Sequence, residues 1–205
     1  MGCKKMKTII VGMTGASGSI YGLRLIEELA KKNFKIHVVA TAAAMKVVPF
    51  ETGQSVENFI KTLKSNNHDT TLEEIDNFFS KIASGSYQTA GMIIAPCSMG
   101  TLAKMAHGIS TNLLIRAADV CLKERRPLVV LARETPLNRI NLENMLTLTT
   151  AGAMIYPASP GFYHRPETLE EVIDFMVGKV LDAFEVEHDL FERWGACEVE
   201  NKWIR

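Results

Sequence analysis

TIIVGMTGASGSIYGLRLIEELAKK, residues 8–32, decides the architecture. Thr8 to Met13 is a short apolar run rich in β-branched residues, and it ends in the small-residue segment Thr14 to Gly18. From Ser19 to Lys32 the apolar residues Ile20, Leu23, Ile26, Leu29 and Ala30 return at helical spacing. That order predicts a strand, a tight loop and a helix. Lys35 to Ala40 (KIHVVA) then predicts a second strand, and Ala42 to Glu51 a second helix. A helix between two strands is a crossover connection, so the pair is expected to be parallel.

The same alternation continues along the chain. Residues 52–80 are polar and lean towards helix, with a turn at Asn66-Asn67-His68-Asp69. Gly91 to Ala95 reads as a buried strand stopped by Pro96, followed by a helix from Ser98 to His107 and a longer one from Asn112 to Glu124. Pro127 to Ala132 (PLVVLA) predicts a strand with apolar residues on both faces, Asn141 to Thr150 a helix, Ala153 to Tyr156 a short strand and Leu169 to Phe184 a final helix. Five strands alternating with helices predict an α/β fold, a doubly wound and mostly parallel sheet covered on both faces. At 205 residues, with 47% hydrophobic composition, the chain reads as one compact domain over 1–205. No internal repeat or low-complexity linker interrupts it.

Charge and cysteines exclude several classes of function. Lys+Arg and Asp+Glu both number 23, so no basic excess points to nucleic acid or an anionic membrane. Cys3, Cys97, Cys121 and Cys197 lie far apart, form no C-x-x-C pair and follow no secretory leader, and are expected to be reduced cytoplasmic thiols. The start Met-Gly-Cys-Lys-Lys resembles a lipidation signal, but Met6 stands where Ser or Thr is required. Every apolar run is shorter than the ~20 residues that span a bilayer. A cytoplasmic location is the expectation.

In an open α/β sheet the ligand lies beyond the carboxyl ends of the strands. The loops there are Thr14 to Gly18, Thr41 onward, Pro96 to Thr101, Arg133 to Pro136 and Pro157 to His164, and they hold nearly all the unusual residues. Thr14 to Gly18 suits an anion or a flavin edge at a helix N-terminus, and equally a tight turn with Ser17 or Ser19 as N-cap. Its glycines do not fit G-x-G-x-x-G, no P-loop lysine follows, and Thr41 stands where a dinucleotide enzyme places an acid for the ribose. NAD binding is therefore disfavoured. Pro96 to Thr101 repeats the chemistry of the first loop, with hydroxyls at Ser98 and Thr101; Cys97 reads as a packed residue rather than a nucleophile. Lys123 to Arg126 is a basic helix end that the helix dipole explains. Arg133-Glu134 delivers two charges to the ligand edge after a buried strand, and Pro157 to Pro166 is a rigid aromatic loop. The histidines His37, His68, His107, His164 and His188 show no metal spacing, and no metal site is expected.

Taken together, MTGASGSIYGLRL, IASGSYQTAGMIIAPCSMGTLA, NLLIRAADVCLKERRPLVVLARETPL, INLENMLTL and PGFYHRPETLEEVIDFMVGKVLD resemble the UbiX/Pad flavin prenyltransferase family over nearly the whole chain. The resemblance implies a flavodoxin-like subunit assembled into a dodecamer from trimers, with its site at subunit interfaces. It implies transfer of a dimethylallyl group from dimethylallyl phosphate to N5 and C6 of reduced FMN, without a metal, and release of prenylated FMN to a UbiD-type decarboxylase. The residues it implies for FMN are Gly15, Ala16, Ser17, Thr41, Glu51, Ser98, Met99, Gly100, Thr101, Arg116 and Arg133. For dimethylallyl phosphate they are Ser84, Lys123, Arg133, Tyr163, Lys179 and Trp194. Glu134, Ser17 and Tyr163 are the implied catalytic groups. Thr41 stands where serine is common and Lys179 where arginine is common; lysine keeps the charge and loses the bidentate fork. An FMN-dependent decarboxylase of cysteine type, and a flavin-delivery subunit of a hydroxyarylic acid decarboxylase, are the alternative readings.

Overall fold

Strand β1 (Thr8–Met13) lies in the middle of the sheet, paired in parallel with β2 (Lys35–Ala40) on one side and with β4 (Met92–Cys97) on the other. The computed structural model describes residues 6–195. Cys3, Cys197 and the start Met-Gly-Cys-Lys-Lys fall outside them. With β3 (Thr70–Glu73), β5 (Leu128–Ala132) and β6 (Met154–Pro157) the sheet has six strands, all parallel, in the order β3-β2-β1-β4-β5-β6. The fold class expected from the sequence is the one observed.

Among the described residues seven α-helices connect and cover the strands: α1 (Ser19–Lys31), α2 (Ala44–Thr52), α3 (Val56–Ser65), α4 (Met99–Ala106), α5 (Leu113–Lys123), α6 (Arg139–Thr150) and α7 (Leu169–Asp182). Side chains alternate across the pleat, so Ile9, Val11 and Met13 of β1 enter a core with α1, α2, α3 and α7, whereas Ile10 enters the opposite core with α4, α5 and α6. Both faces are buried, and this is why the strands read as continuous apolar runs.

Two expectations are corrected. The sheet has six strands and not five, because Thr70–Glu73, inside the stretch read as polar and helical, pairs with β2 as an edge strand. A part-buried chain of polar groups holds it there: His37 Nδ1 lies 2.7 Å from Glu73, His37 Nε2 lies 3.0 Å from the Tyr87 hydroxyl, and Ser80 donates to Glu73 at 2.7 Å. Pro96 does not stop β4. The strand continues to Cys97 through a register shift between Ile94 and Cys97, the kind of irregularity at which a strand tolerates a residue without an N–H.

Candidate functional site

The strand order reverses direction between β1 and β4, so the loops after those strands part and leave a crevice at the carboxyl edge. Thr14 ties the two loops together at the base of the crevice: its hydroxyl donates to the Pro96 carbonyl at 2.8 Å and accepts from the Ser98 amide at 2.8 Å. Gly15 packs so closely that a Cβ there would lie 2.5 Å from the Cβ of Ala43. Above this floor is a hollow of about 550 Å³ bordered by Gly15, Thr41, Ser98, Gly100, Thr101 and Lys104. Ser98 caps α4, accepting from the Thr101 amide at 3.4 Å and contacting the Thr101 hydroxyl at 3.2 Å. The first-turn amides of α4 have no intrahelical acceptor, and a Cβ at Gly100 would meet nothing within 4 Å. Thr41 places a third hydroxyl at the end of β2, where it accepts from the Ala44 amide at 3.2 Å.

Neither Ser17 nor Ser19 caps α1, contrary to one of the two expectations for the first loop. The N-cap is Gly18 at φ 98°, and the carboxylate of Glu51 takes the orphan amides, accepting from Gly18 N at 3.1 Å and Ser19 N at 2.8 Å. Burial raises the Glu51 carboxyl, but hydrogen bonds from Ser17 and from these amides outweigh it and hold the group below the ordinary glutamate value. Glu51 thus occupies the amides of Gly18 and Ser19, and an anion at this loop would have to sit towards Thr41 and α4. Arg133, arriving from the end of β5, donates from Nε to the Ser17 carbonyl at 3.0 Å and so bridges the crevice. Ala16 is buried beneath the loop and Ser17 is exposed above it.

Arg133 and Glu134 do not form an ion pair with each other. Glu134 is exposed, accepts the Thr135 amide at 3.0 Å through one oxygen, and borders a second hollow of about 340 Å³ with Arg133, Pro136 and Ser159. Cys97 is fully buried at the end of β4, and burial pushes its thiol far above the ordinary range, so it is a packed residue.

The other expected residues form two separate groups, and neither borders the 550 Å³ hollow. Arg116 and Lys123 lie on α5, with Ser84 in the adjoining loop; Arg116 donates from Nε to the Ala83 carbonyl at 3.1 Å, and Lys123 pairs with Glu124 at 3.0 Å. α5 starts beside the hollow at Asn112 and ends at Lys123, about 16 Å away at 1.5 Å per residue. Tyr163, Lys179 and Trp194 lie on the flank formed by α7: Tyr163 packs edge-on against Phe175 and Trp194 at 5.6 and 5.2 Å, and Lys179 lies 3.9 Å from Asp182. Met99 is half-buried in the first turn of α4.

The donor set fits a flavin nucleotide: three hydroxyls and the first-turn amides of α4 converge on the hollow, and close packing at Gly15 leaves no side chain in the way. Ala43, Lys104 and Asn112 belong to this region and were not expected from sequence, and Thr14 lay in an expected loop without a role assigned to it. Thr14 carried a legible sign, a hydroxyl at the end of a buried strand; Lys104 carried none, being an ordinary charged residue one turn into a helix.

The Flavoprotein family matches residues 2–185. A flavin prenyltransferase UbiX from Alkalihalophilus pseudofirmus is 51% identical over 193 residues, covering 92% of this chain and 96% of that one. The crystal structure of AnUbiX (PadA1) in complex with FMN and dimethylallyl pyrophosphate is 40% identical, covers 95% of this chain and 100% of that one, and superposes with a TM-score of 0.89. A dodecameric FMN-dependent UbiX-like decarboxylase from Escherichia coli O157:H7 is also 40% identical, covers 91% and 98%, and has a TM-score of 0.85.

Proposed function

This chain belongs to the Flavoprotein family and, within it, to the UbiX flavin prenyltransferases, and from that membership we propose that it transfers a dimethylallyl group from dimethylallyl phosphate to reduced FMN. The observation that carries the reading is the crevice where the sheet reverses, with hydroxyls and the first turn of α4 on one wall and Arg133 tied to the neighbouring loop at Ser17.

Thr41, Ser98, Thr101 and the first-turn amides of α4 hold the flavin phosphate, and Gly15 and Ala16 let the ring approach the backbone. Bound reduced FMN supplies the electron-rich N5 and C6 that accept the prenyl carbon atoms. Lys123, Lys179 and Arg133 oppose the charge that builds on the departing phosphate, with hydrogen bonds from Tyr163 and Ser84. Glu134 keeps one carboxylate oxygen for proton transfer, and Ser17, held beside Glu51, is the second proton-handling group. Aromatic side chains at Tyr163 and Trp194 keep water from the allylic group.

Assembly belongs to the same proposal. The cofactor residues, the α5 group and the α7 group lie apart in one chain, and an oligomer of the dodecameric kind would bring them together across interfaces. The product is handed to a UbiD-type decarboxylase, in a cytoplasmic location; among the described residues no helix is long and apolar enough to cross a membrane.

The test is anaerobic incubation with FMN, a reductant and dimethylallyl phosphate, followed by mass spectrometry of the flavin. A product heavier than FMN by one isoprene unit is expected. Glu134→Gln keeps the shape and removes the titrating proton, so it should retain FMN and slow product formation about 10²–10⁴-fold. Unmodified flavin from the unaltered protein refutes the activity, and full-rate product from Glu134→Gln refutes the proton role.

A further inference from the structure

Several contacts converge on one carboxylate at the end of α7. Asp182 accepts hydrogen bonds from both terminal nitrogens of Arg193, at 2.7 and 3.2 Å, and lies 3.2 Å from His188 Nε2 and 3.9 Å from the Lys179 ammonium. His188 Nδ1 accepts the Leu190 amide at 3.3 Å, so its Nε2 carries the proton that faces Asp182. One turn earlier, Gly178 leaves bare backbone where the tail crosses the helix: a Cβ there would lie 2.6 Å from both His188 Cε1 and Phe191 Cε1. Rings then lead back from this point. Phe191 packs against Phe175 at 4.9 Å, Phe175 against Tyr163 at 5.6 Å, and Tyr163 against Trp194 at 5.2 Å.

We propose that Asp182 is a positioning residue for the prenyl donor: with the Gly178 notch it docks residues 186–194 along α7, and thereby sets Tyr163, Trp194 and Lys179 as one wall against the donor phosphate. This rests on the reading that those three residues hold the donor. A fork of two hydrogen bonds to a guanidinium fixes direction as well as distance, so Arg193 and His188 leave the tail one way to lie. Lys179 is the loosest partner, with no hydrogen bond to the carboxylate, and it can turn to a phosphate while the other two keep Asp182 satisfied.

The test is steady-state prenylation at saturating reduced FMN with dimethylallyl phosphate varied, on the full-length protein, beside a titration of FMN binding. Asp182→Asn keeps the shape and removes the charge; Gly178→Ala puts a methyl into the notch while alanine itself favours the helix. Each is expected to raise the KM for dimethylallyl phosphate about tenfold and leave FMN affinity within about twofold, with Asp182→Glu recovering part of the loss. Unchanged donor KM in both variants overturns the proposal, as does an FMN affinity that falls in step with it. Tyr163→Phe separates the two levels. If it leaves the donor KM unchanged, the donor-site reading fails and the inference fails with it. If it raises the KM while Asp182→Asn and Gly178→Ala do not, the donor site stands and the positioning role is refuted.

Discussion

Glu51 has the least legible position among the site residues. From sequence it ends a helix some thirty residues beyond the first loop, and the hydroxyls of Ser17 and Ser19 are the natural caps for α1. The fold instead brings a full negative charge to the amides of Gly18 and Ser19, where a helix dipole favours it more than a neutral hydroxyl. Replacing Glu51 with Gln should lower stability at neutral pH by about 0.5–1 kcal/mol, the lower part of the range for a lost cap because the pair is exposed. The sign of the pH dependence follows from the depressed carboxyl. The stabilisation is complete above the unfolded value of about 4.3 and is lost as pH falls through the lower folded value, so the two proteins should converge in acid. Thermal melts of both from neutral to acid pH measure this; a gap that widens in acid contradicts it.

Elements with a strong period were legible, and those defined by what they pack against were not. β1, β2 and β5 are buried on both faces, so their apolar runs stand out, and α1 shows its stripe because only one side meets the sheet. β3 has four residues, two of them threonine, and becomes a strand only because β2 offers an open edge and His37 holds Glu73. The same dependence on neighbours makes Gly22 more than a weak spot in α1. In an isolated helix alanine is favoured over glycine, but at residue 22 an added Cβ would collide with the Ala95 carbonyl oxygen and lie 2.8 Å from the Met13 methyl. Backbone cannot step aside as a flexible side chain can. Gly22→Ala is therefore expected to destabilise the protein by about 1–3 kcal/mol, the usual cost of overpacking, and to weaken FMN binding because the loops that lead into α1 and out of β4 border the crevice. Denaturant unfolding with parallel FMN titration checks both; a stabilised variant would show that the helix can shift away from β4.

At the scale of the whole molecule, the cofactor loops could be located from sequence because the carboxyl edge of a parallel sheet is a rule of topology. How the α5 and α7 groups meet that edge could not, since in the proposed assembly their meeting depends on other copies of the chain. Large apolar side chains are exposed on α6, with Ile140 and Leu146 each 67% exposed and Leu142 52%, and Phe50 and Phe79 are almost bare, which is the surface of a protein that associates. If sites are built across interfaces, two inactive variants should repair each other. Lys123→Ala removes a cation from the α5 group and Tyr163→Phe removes a hydroxyl from the α7 group, and each alone should turn over slowly. In assemblies formed from equal amounts of both, a site that draws Lys123 from one subunit and Tyr163 from another finds both intact about a quarter of the time, because heterologous interfaces pair unlike patches of different copies. Co-refolding or co-expression of the two variants should then restore about a quarter of the unaltered rate. If the two groups instead served a site within one chain, every site would keep one defect and mixing would restore nothing.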